Sequence, residues 1–172
     1  MTVEIYNVVK TALLSITGDD GLPLFKTVML WNNQTDHELN RENDNYAVLY
    51  PACFIEFNNI NTNNLGKKAE VQYCDYDMVL HMARTLIKNE DTQILTDKLK
   101  VYQKIQTLEF GVTEPTTGRF TRINENPNYD NNLLMIYEQT YHSTYKDFSA
   151  IPTLGSRTLT PVITQTIVDN IS

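Results

Sequence analysis

The sequence contains little glycine, proline or cysteine, and it has no long hydrophobic run. Its 172 residues include only six glycines, six prolines and two cysteines. Two cysteines are too few for a disulfide framework or a zinc site, and six scattered glycines exclude a glycine-rich phosphate loop. No apolar stretch approaches the ~18–20 residues that span a bilayer, and Met1–Glu4 lacks the basic and apolar regions of a signal peptide. We therefore expect synthesis in the cytosol, no membrane contact, and buried free thiols at Cys53 and Cys74.

Positive charge is also scarce. The chain carries 14 Lys and Arg against 21 Asp and Glu, for a net charge of −7, and its longest basic run is Lys67-Lys68. This balance argues against a general nucleic-acid-binding surface. The length, with 41% apolar residues, suits one domain with a single core.

Asparagine is abundant instead. Most of the 18 asparagines fall in three segments, residues 32–45, 58–64 and 124–132. Asparagine tolerates a left-handed backbone and bonds to its own main chain, so these segments are predicted to be turns and loops that divide the chain into periodic blocks.

The blocks between these segments have the periodicity of helices and strands. Apolar residues at helical spacing predict helices over residues 3–16 and 91–109. Alternating or β-rich stretches predict strands over residues 24–31, 50–57, 68–82, 119–123 and 132–145. The first helix would bury Ile5, Val9, Leu13 and Ile16; the second would bury Ile94, Leu95, Leu99, Val101, Tyr102, Ile105 and Leu108.

The resulting order, α-β-β-β-α-β-β, predicts the fold class. Several strands follow one another with no helix between them, which favours an α+β fold. We expect an antiparallel or mixed sheet of about five strands, flanked by two helices, over residues 1–145.

Residues 146–172 have a different composition, and we call them the C-terminal arm. The arm has only four charged residues and two prolines, yet it contains many aliphatic side chains. A disordered tail normally has more charge, and Pro161 opposes a helix. We expect an extended segment that docks either on the edge of its own sheet or on a neighbouring subunit. The contacts would come from Leu154, Leu159, Val162, Ile163, Ile167, Val168 and Ile171.

No catalytic or metal-binding pattern is visible. Asp75, Asp77 and His81 share one face of a predicted strand, but residues four apart on a strand are ~13 Å apart, too far to converge on a metal. That face is predicted to be a solvated or interface face. Hydrolase and metalloprotease motifs are lacking. We expect no catalytic residue, no metal and no cofactor.

Surface character points towards assembly. Trp31, the only tryptophan, stands where a strand meets the polar segment 32–45, and tryptophan and tyrosine are favoured in protein interfaces. We expect this segment to be a loop that orders against a neighbouring subunit or ring. The predicted interface residues here are Trp31, Asn33, Asp36, Glu38, Arg41 and Glu42.

Several short motifs resemble those of a known family. They are Trp31-Asn32-Asn33-Gln34, Tyr50 to Phe57, Asp77 to His81, Arg119 to Arg122, Asp130 to Glu138, and the opening helix Ile5 to Ile16. In this order they resemble small tail-completion proteins of tailed bacteriophages, which are tail terminators or head–tail joining proteins, with crAss-like intestinal phages among the sources. The resemblance covers roughly residues 1–145 and leaves out the arm.

This resemblance implies a structural virion protein and no enzyme. Such proteins have an α+β fold and form rings of 6 or 12 copies in the neck or tail, joining the portal or connector to adjacent tail or neck ring proteins. The packaged DNA would pass through without specific binding. Two other classes stay open: a capsid-decorating or baseplate component, and a virion-associated hydrolase.

Overall fold

The computed structural model describes residues 2–37, 48–65, 71–85, 92–106, 108, 118–128 and 134–147. Helix α1 (Thr2–Leu14) is followed by strand β1 (Thr27–Leu30), the one-turn helix α2 (Gln34–His37), and the long strands β2 (Ala52–Leu65) and β3 (Val71–Thr85). Helix α3 (Gln93–Gln106) then leads to β4 (Thr121–Asn128) and β5 (Leu134–Asp147). The fold is α+β, as predicted.

The five strands form one mixed sheet. Their spatial order is β1-β2-β3-β5-β4, with β1 parallel to β2 and the other neighbours antiparallel. β2, β3 and β5 are long central strands, whereas β1 and β4 are shorter strands at the two edges.

The main core lies between one face of this sheet and the helices α1 and α3. The residues predicted to be buried by the first helix are all buried there: Ile5, Val9 and Leu13 lie in α1, and Ile16 lies just beyond its end. Alternate residues of β3 face the same core: Cys74, Tyr76, Met78, Leu80 and Met82 are each at most 1% exposed. Cys53 and Cys74 are buried free thiols, as predicted.

Helix α3 differs from the prediction in the residues that it buries. Ile94, Val101 and Ile105 are buried, but Leu95 and Leu99 are 45% and 52% exposed. Asp97 is buried instead, because its carboxylate accepts a hydrogen bond of 3.0 Å from Nε of Arg84 on β3. Because of this ion pair, an acidic residue can be buried in the core. The spacing of apolar residues in the sequence does not predict such a position.

The asparagine-rich segments 58–64 and 124–132 were predicted to be loops. This prediction is wrong for residues 58–64 and 124–128, and residues 129–132 lie outside the described ranges. Residues 58–64 continue β2, and residues 124–128 belong to β4. Pairing with the neighbouring strand satisfies the backbone there, which overrides the weak strand propensity of asparagine. Irregularities remain at these sites: the register shifts between Asn58 and Asn61, and again between Arg122 and Asn124.

The segment 32–45 also differs from a plain loop, since α2 occupies Gln34–His37. Asn33 has a φ of 54° just before it, a left-handed conformation that asparagine tolerates better than most residues. The side-chain amide of Gln34 closes this turn by donating to the Leu30 carbonyl and accepting from the Asn32 N–H, each at 2.6 Å.

Candidate interaction surface

The two faces of the sheet are not equivalent. α1 and α3 pack on one face, whereas the opposite face carries a smaller apolar cluster to which the described helices contribute no residue. We call this opposite face the helix-free face. Its cluster consists of Ala52, Phe54, Ala83, Leu134 and Ile136, with Met29, Trp31, Val48 and Tyr50 packed against it.

A repeated spacing on β3 and β5 places charged residues beside this cluster. Asp77 precedes His81 by four residues on β3, and Glu138 precedes His142 by four residues on β5. All four side chains share the helix-free face because alternate residues of a strand point the same way. Since the strands are antiparallel, Asp77 lies opposite His142 and His81 lies opposite Glu138. One spacing, used on two strands, thus produces two acid–histidine pairs.

Both pairs are in contact. Nδ1 of His142 lies 3.0 Å from Oδ1 of Asp77, and Nδ1 of His81 lies 3.2 Å from Oε1 of Glu138. The His142 side chain is 44% exposed, so its pair borders solvent. His81 is buried, with only 6% of its surface exposed.

His81 contacts a carboxylate through each ring nitrogen and an indole through one ring face. Its Nε2 atom lies 2.8 Å from Oε2 of Glu56 on β2, so each ring nitrogen faces a carboxylate. The indole of Trp31 stacks on the imidazole with the ring centres 4.1 Å apart and the planes 12° from parallel. The Trp31 ring also packs against Phe54, with the ring centres 5.6 Å apart, and the backbone N–H of Trp31 donates to the Ile55 carbonyl at 2.9 Å. Trp31 is therefore fixed in place by contacts of both its backbone and its ring.

The chemistry of this cluster is that of hydrogen-bond contacts between three strands. An imidazole protonated on both nitrogens can donate to Glu56 and Glu138 together, whereas a neutral ring can donate to only one of them. Because both nitrogens are engaged and the ring is buried under Trp31, His81 has no free nitrogen for acid–base work on a bound substrate. Contacts through the His81 ring join β2, β3 and β5.

The same geometry does not suit a metal ion. The two carboxylates lie against different nitrogens of the His81 ring, so their oxygens do not converge on one point. Within the described ranges, no group of three or more His, Cys, Asp or Glu side chains could hold a metal. The absence of a metal, a cofactor and a catalytic residue remains a prediction.

The prediction that Asp75, Asp77 and His81 lie on a solvated or interface face holds only in part. Asp75 and Asp77 are half-buried on the helix-free face, with Asp75 opposite Thr144. His81 is buried instead, because Trp31 covers it. The alternation along the strand predicted the correct face of the sheet. It did not predict the burial of His81, because Trp31, which covers it, follows the end of β1.

The structure describes only part of the predicted interface set. Trp31 is half-buried on the helix-free face, Asn33 is exposed in the turn before α2, and Asp36 lies in α2. The other predicted residues lie outside the described ranges. They are Glu38, Arg41, Glu42, Leu154, Leu159, Val162, Ile163, Ile167, Val168 and Ile171.

Glu56, Glu138 and His142 were not predicted to belong to this surface. A usable signal was present, because an acid four residues before a histidine occurs on two predicted strands. Its meaning depends on which strands are neighbours and in what register, and the sequence pattern does not contain that information.

The helix-covered side has a shallow groove between α1 and α3. Its volume is about 400 Å³, and its lining is Asn7, Val8, Thr11, Ala12, Ser15, Lys104 and Leu108. Among the described lining residues only Lys104 is ionisable, so these residues provide no set of groups for catalysis.

Next to α3, Glu125 of β4 forms ion pairs with Lys98 and Arg122, the latter at 2.6 Å. Burial alone would raise the pKa of Glu125, but hydrogen bonds from Lys98 and Gln139 and the charges of Lys98 and Arg122 outweigh it and lower that pKa. This network fastens α3 to the β4 edge of the sheet.

None of the helices in the described ranges is both long and apolar enough to cross a membrane. No protein-family model matches the chain, and a search of curated proteins found no significant match.

Proposed function

We propose that this protein is a structural ring component of the neck or tail of a tailed bacteriophage, which joins the portal or connector to the tail. The observation that carries the proposal is the two-sided architecture, with helices on one face of the sheet and a helix-free face of paired charges and apolar side chains. A subunit with two different faces suits head-to-tail contacts between copies, and such contacts close into rings when the rotation fits.

The helix-free face has the composition of a contact surface. Protein interfaces favour tryptophan and combine an apolar centre with a polar border. Here Trp31 and Phe54 lie in the apolar cluster, and the pairs His81–Glu138 and Asp77–His142 lie beside it. Because Glu138 and Asp77 are each in hydrogen-bond contact with a histidine of the same chain, a neighbour could cover them at a lower desolvation cost than carboxylates that lack a partner.

The net charge supports a channel through which DNA slides. With −7 per chain, six copies carry −42 and twelve carry −84. A negative lumen repels phosphates, whereas exposed Lys and Arg would hold DNA by counterion release. We therefore expect no retention of duplex DNA by the purified protein at physiological salt.

Native mass spectrometry combined with negative-stain imaging of the purified full chain tests the proposal. We expect closed rings of 6 or 12 copies. Monomers or trimers would contradict a ring, and trimers that bind capsids would favour a capsid-decorating protein.

A matched pair of variants locates the contact. Thr140 is half-buried on the helix-free face, and Leu99 is exposed on α3. Thr140→Arg should abolish rings, and Leu99→Arg should retain them, with similar unfolding temperatures for both. Loss of rings with Leu99→Arg alone would place the contact on the helix side instead.

A further inference from the structure

His81 lies between two carboxylates, and its two contacts together require two hydrogens. Its Nε2 atom is 2.8 Å from Oε2 of Glu56, and its Nδ1 atom is 3.2 Å from Oε1 of Glu138. A nitrogen and an oxygen stay this close when a hydrogen lies between them, because two bare lone pairs repel each other. A neutral imidazole has only one ring hydrogen, so the second contact needs one additional proton, either on the ring or on a carboxylate.

The additional proton changes both the charge and the contacts of these three side chains. With it, Glu56, His81 and Glu138 together have one negative charge. Without it they have two, and one ring nitrogen faces an oxygen with no hydrogen between them. The contact with Glu138 is the longer one, and the Glu138 side chain is 26% exposed, so this carboxylate can turn towards water when the proton leaves. The amide of Asn128 on β4, which donates to Glu138 at 3.4 Å, gives the released carboxylate a remaining partner.

The indole of Trp31 lies flat on the imidazole that takes part in these contacts. The two ring centres are 4.1 Å apart, and the planes are 12° from parallel. The face of an indole attracts a cation, so Trp31 stacks more strongly on a protonated imidazole than on a neutral one. The backbone N–H of Trp31 is bonded to the Ile55 carbonyl, which leaves the indole free to move only by rotating its side chain. Loss of the proton therefore weakens the contact that covers one face of the indole.

Other ionisable side chains share the helix-free face with His81. Asp77 and Asp75 precede it on β3 by four and six residues, and Asp77 lies 3.0 Å from Nδ1 of His142 on β5. Lys146 lies further along β5, four residues beyond His142. His142 is thus a second histidine beside a carboxylate on the same face. Unlike His81, it has one carboxylate contact among the described residues and carries no stacked indole.

We propose that Glu56, His81 and Glu138 form a proton lock, in which one additional proton holds Trp31 in the helix-free face and its loss at higher pH releases the indole. Histidine ordinarily changes its charge between about pH 5 and pH 8, so the lock opens within or near that range. The pH therefore controls the charge and the shape of the helix-free face. The proton lock is a property of the single chain. If copies meet through this face, as in the proposed function, the additional negative charge weakens their contact as the pH rises.

Acrylamide quenching of tryptophan fluorescence tests the proton lock, because Trp31 is the only tryptophan in the chain. The full chain is titrated at a concentration at which sedimentation velocity shows one unchanged species, and quenching is measured together with the fluorescence lifetime. From about pH 5 to about pH 9, we expect the quenching rate constant to rise roughly twofold in one step with the slope of a single proton, as the half-buried indole loses its cover. The absence of a step, or a fall in the rate constant, would overturn the proposal.

Three variants assign the step. His81→Gln should abolish it, whereas His142→Gln, the matched control on the same face, should retain it. Glu138→Gln gives the most specific result. Its amide N–H can donate to Nδ1 of a neutral His81, so both contacts persist without the additional proton, and Trp31 should stay protected over the whole range. A step of wild-type size in Glu138→Gln would contradict the lock even if His81→Gln had removed the step.

Circular dichroism at each pH shows that a step does not arise from unfolding, and Glu138→Gln keeps the test decisive if His81→Gln does not fold. The result can be distinguished from failure of the ring function. A chain that shows the step but forms no rings would support the proton lock and contradict the proposed function. Imaged rings from a chain without the step would refute the lock and leave the proposed function intact.

Discussion

His81 separates two carboxylates that would otherwise face each other across a half-buried surface. Replacing it by leucine keeps similar bulk beneath Trp31 but removes the two ring nitrogens that contact Glu56 and Glu138. We expect His81→Leu to lower the free energy of unfolding by about 1–3 kcal/mol, because the carboxylates lose their partner.

Urea unfolding at neutral pH measures this loss. His81→Gln, which keeps an N–H donor, serves as the control and should lose less stability. If His81→Leu unfolds at the same urea concentration as the wild type, the contacts of His81 with Glu56 and Glu138 do not stabilise the fold.

Glu125 provides a pH-dependent contribution to stability. Its pKa is lowered in the folded protein because its contacts with Lys98, Gln139 and Arg122 outweigh burial. A carboxyl group with a lowered folded pKa stabilises the fold above its unfolded pKa of about 4.3, and this contribution disappears as the pH falls through the folded pKa. Glu125→Gln should therefore be less stable at pH 7, by about 1–2 kcal/mol.

Thermal unfolding from pH 7 down to pH 3 tests this prediction. The difference between wild type and Glu125→Gln should narrow as the pH falls below about 4. The exposed Glu4 offers a control, since Glu4→Gln should stay within about 0.5 kcal/mol of the wild type. A difference that is constant over the whole range would show that the charge of Glu125 is not responsible.

Helix α3 is attached to the sheet partly by a buried ion pair. The Asp97 side chain is 3% exposed and that of Arg84 is 16% exposed, and Gln93 also donates to Asp97 at 3.1 Å. Losing one member of a buried ion pair costs about 3–5 kcal/mol, because the remaining charge loses an attraction that offset its desolvation. Asp97→Ala should lower the free energy of unfolding by that amount in denaturant titrations.

Replacing both members provides the control. A variant with Arg84→Met and Asp97→Leu should recover most of the stability, since apolar side chains of similar size pack without a desolvation penalty. If the double variant is as unstable as Asp97→Ala, packing of the pair contributes more than its charge.

The strand β2 shows how an element can form against the local preference of its residues. Its second half is rich in asparagine, yet it pairs with β3 from Asn61 to Leu65. The partner strand supplies a continuous ladder over these positions, so the pairing stabilises a sequence that would otherwise favour turns.

At the scale of the whole molecule, a change in residues 38–45, which lie between α2 and the start of β2, tests whether this part of the chain contributes to ring assembly. This part of the predicted interface includes Glu38, Arg41 and Glu42 and lies outside the described ranges. Replacing residues 38–45 with a shorter Gly-Ser linker should leave the unfolding temperature unchanged, because this stretch is polar and its only large apolar side chain is Leu39. Ring formation, measured by native mass spectrometry, should decrease.

A same-length control with only Glu38, Arg41 and Glu42 changed to alanine separates side-chain contacts from loop length. Loss of the folded protein in the shortened variant would show that these residues belong to the core.

Much of the local structure follows from the sequence alone. The spacing of Ile5, Val9 and Leu13 gave the buried side of α1, and the alternation along β3 gave its two faces. These patterns are reliable because side-chain direction depends only on the geometry of the element itself. The α+β fold class and the burial of both cysteines followed from the same reasoning.

Only the tertiary structure determined the strand order, the parallel pairing of β1 with β2, and the contacts around His81. His81 and Glu138 are 57 positions apart, and Trp31 reaches them from the end of another strand. The same holds for Asp97, whose burial requires Arg84 on β3. Such contacts depend on which elements become neighbours and in what register, and that outcome results from packing the whole chain, since short-range periodicity contains no information about it.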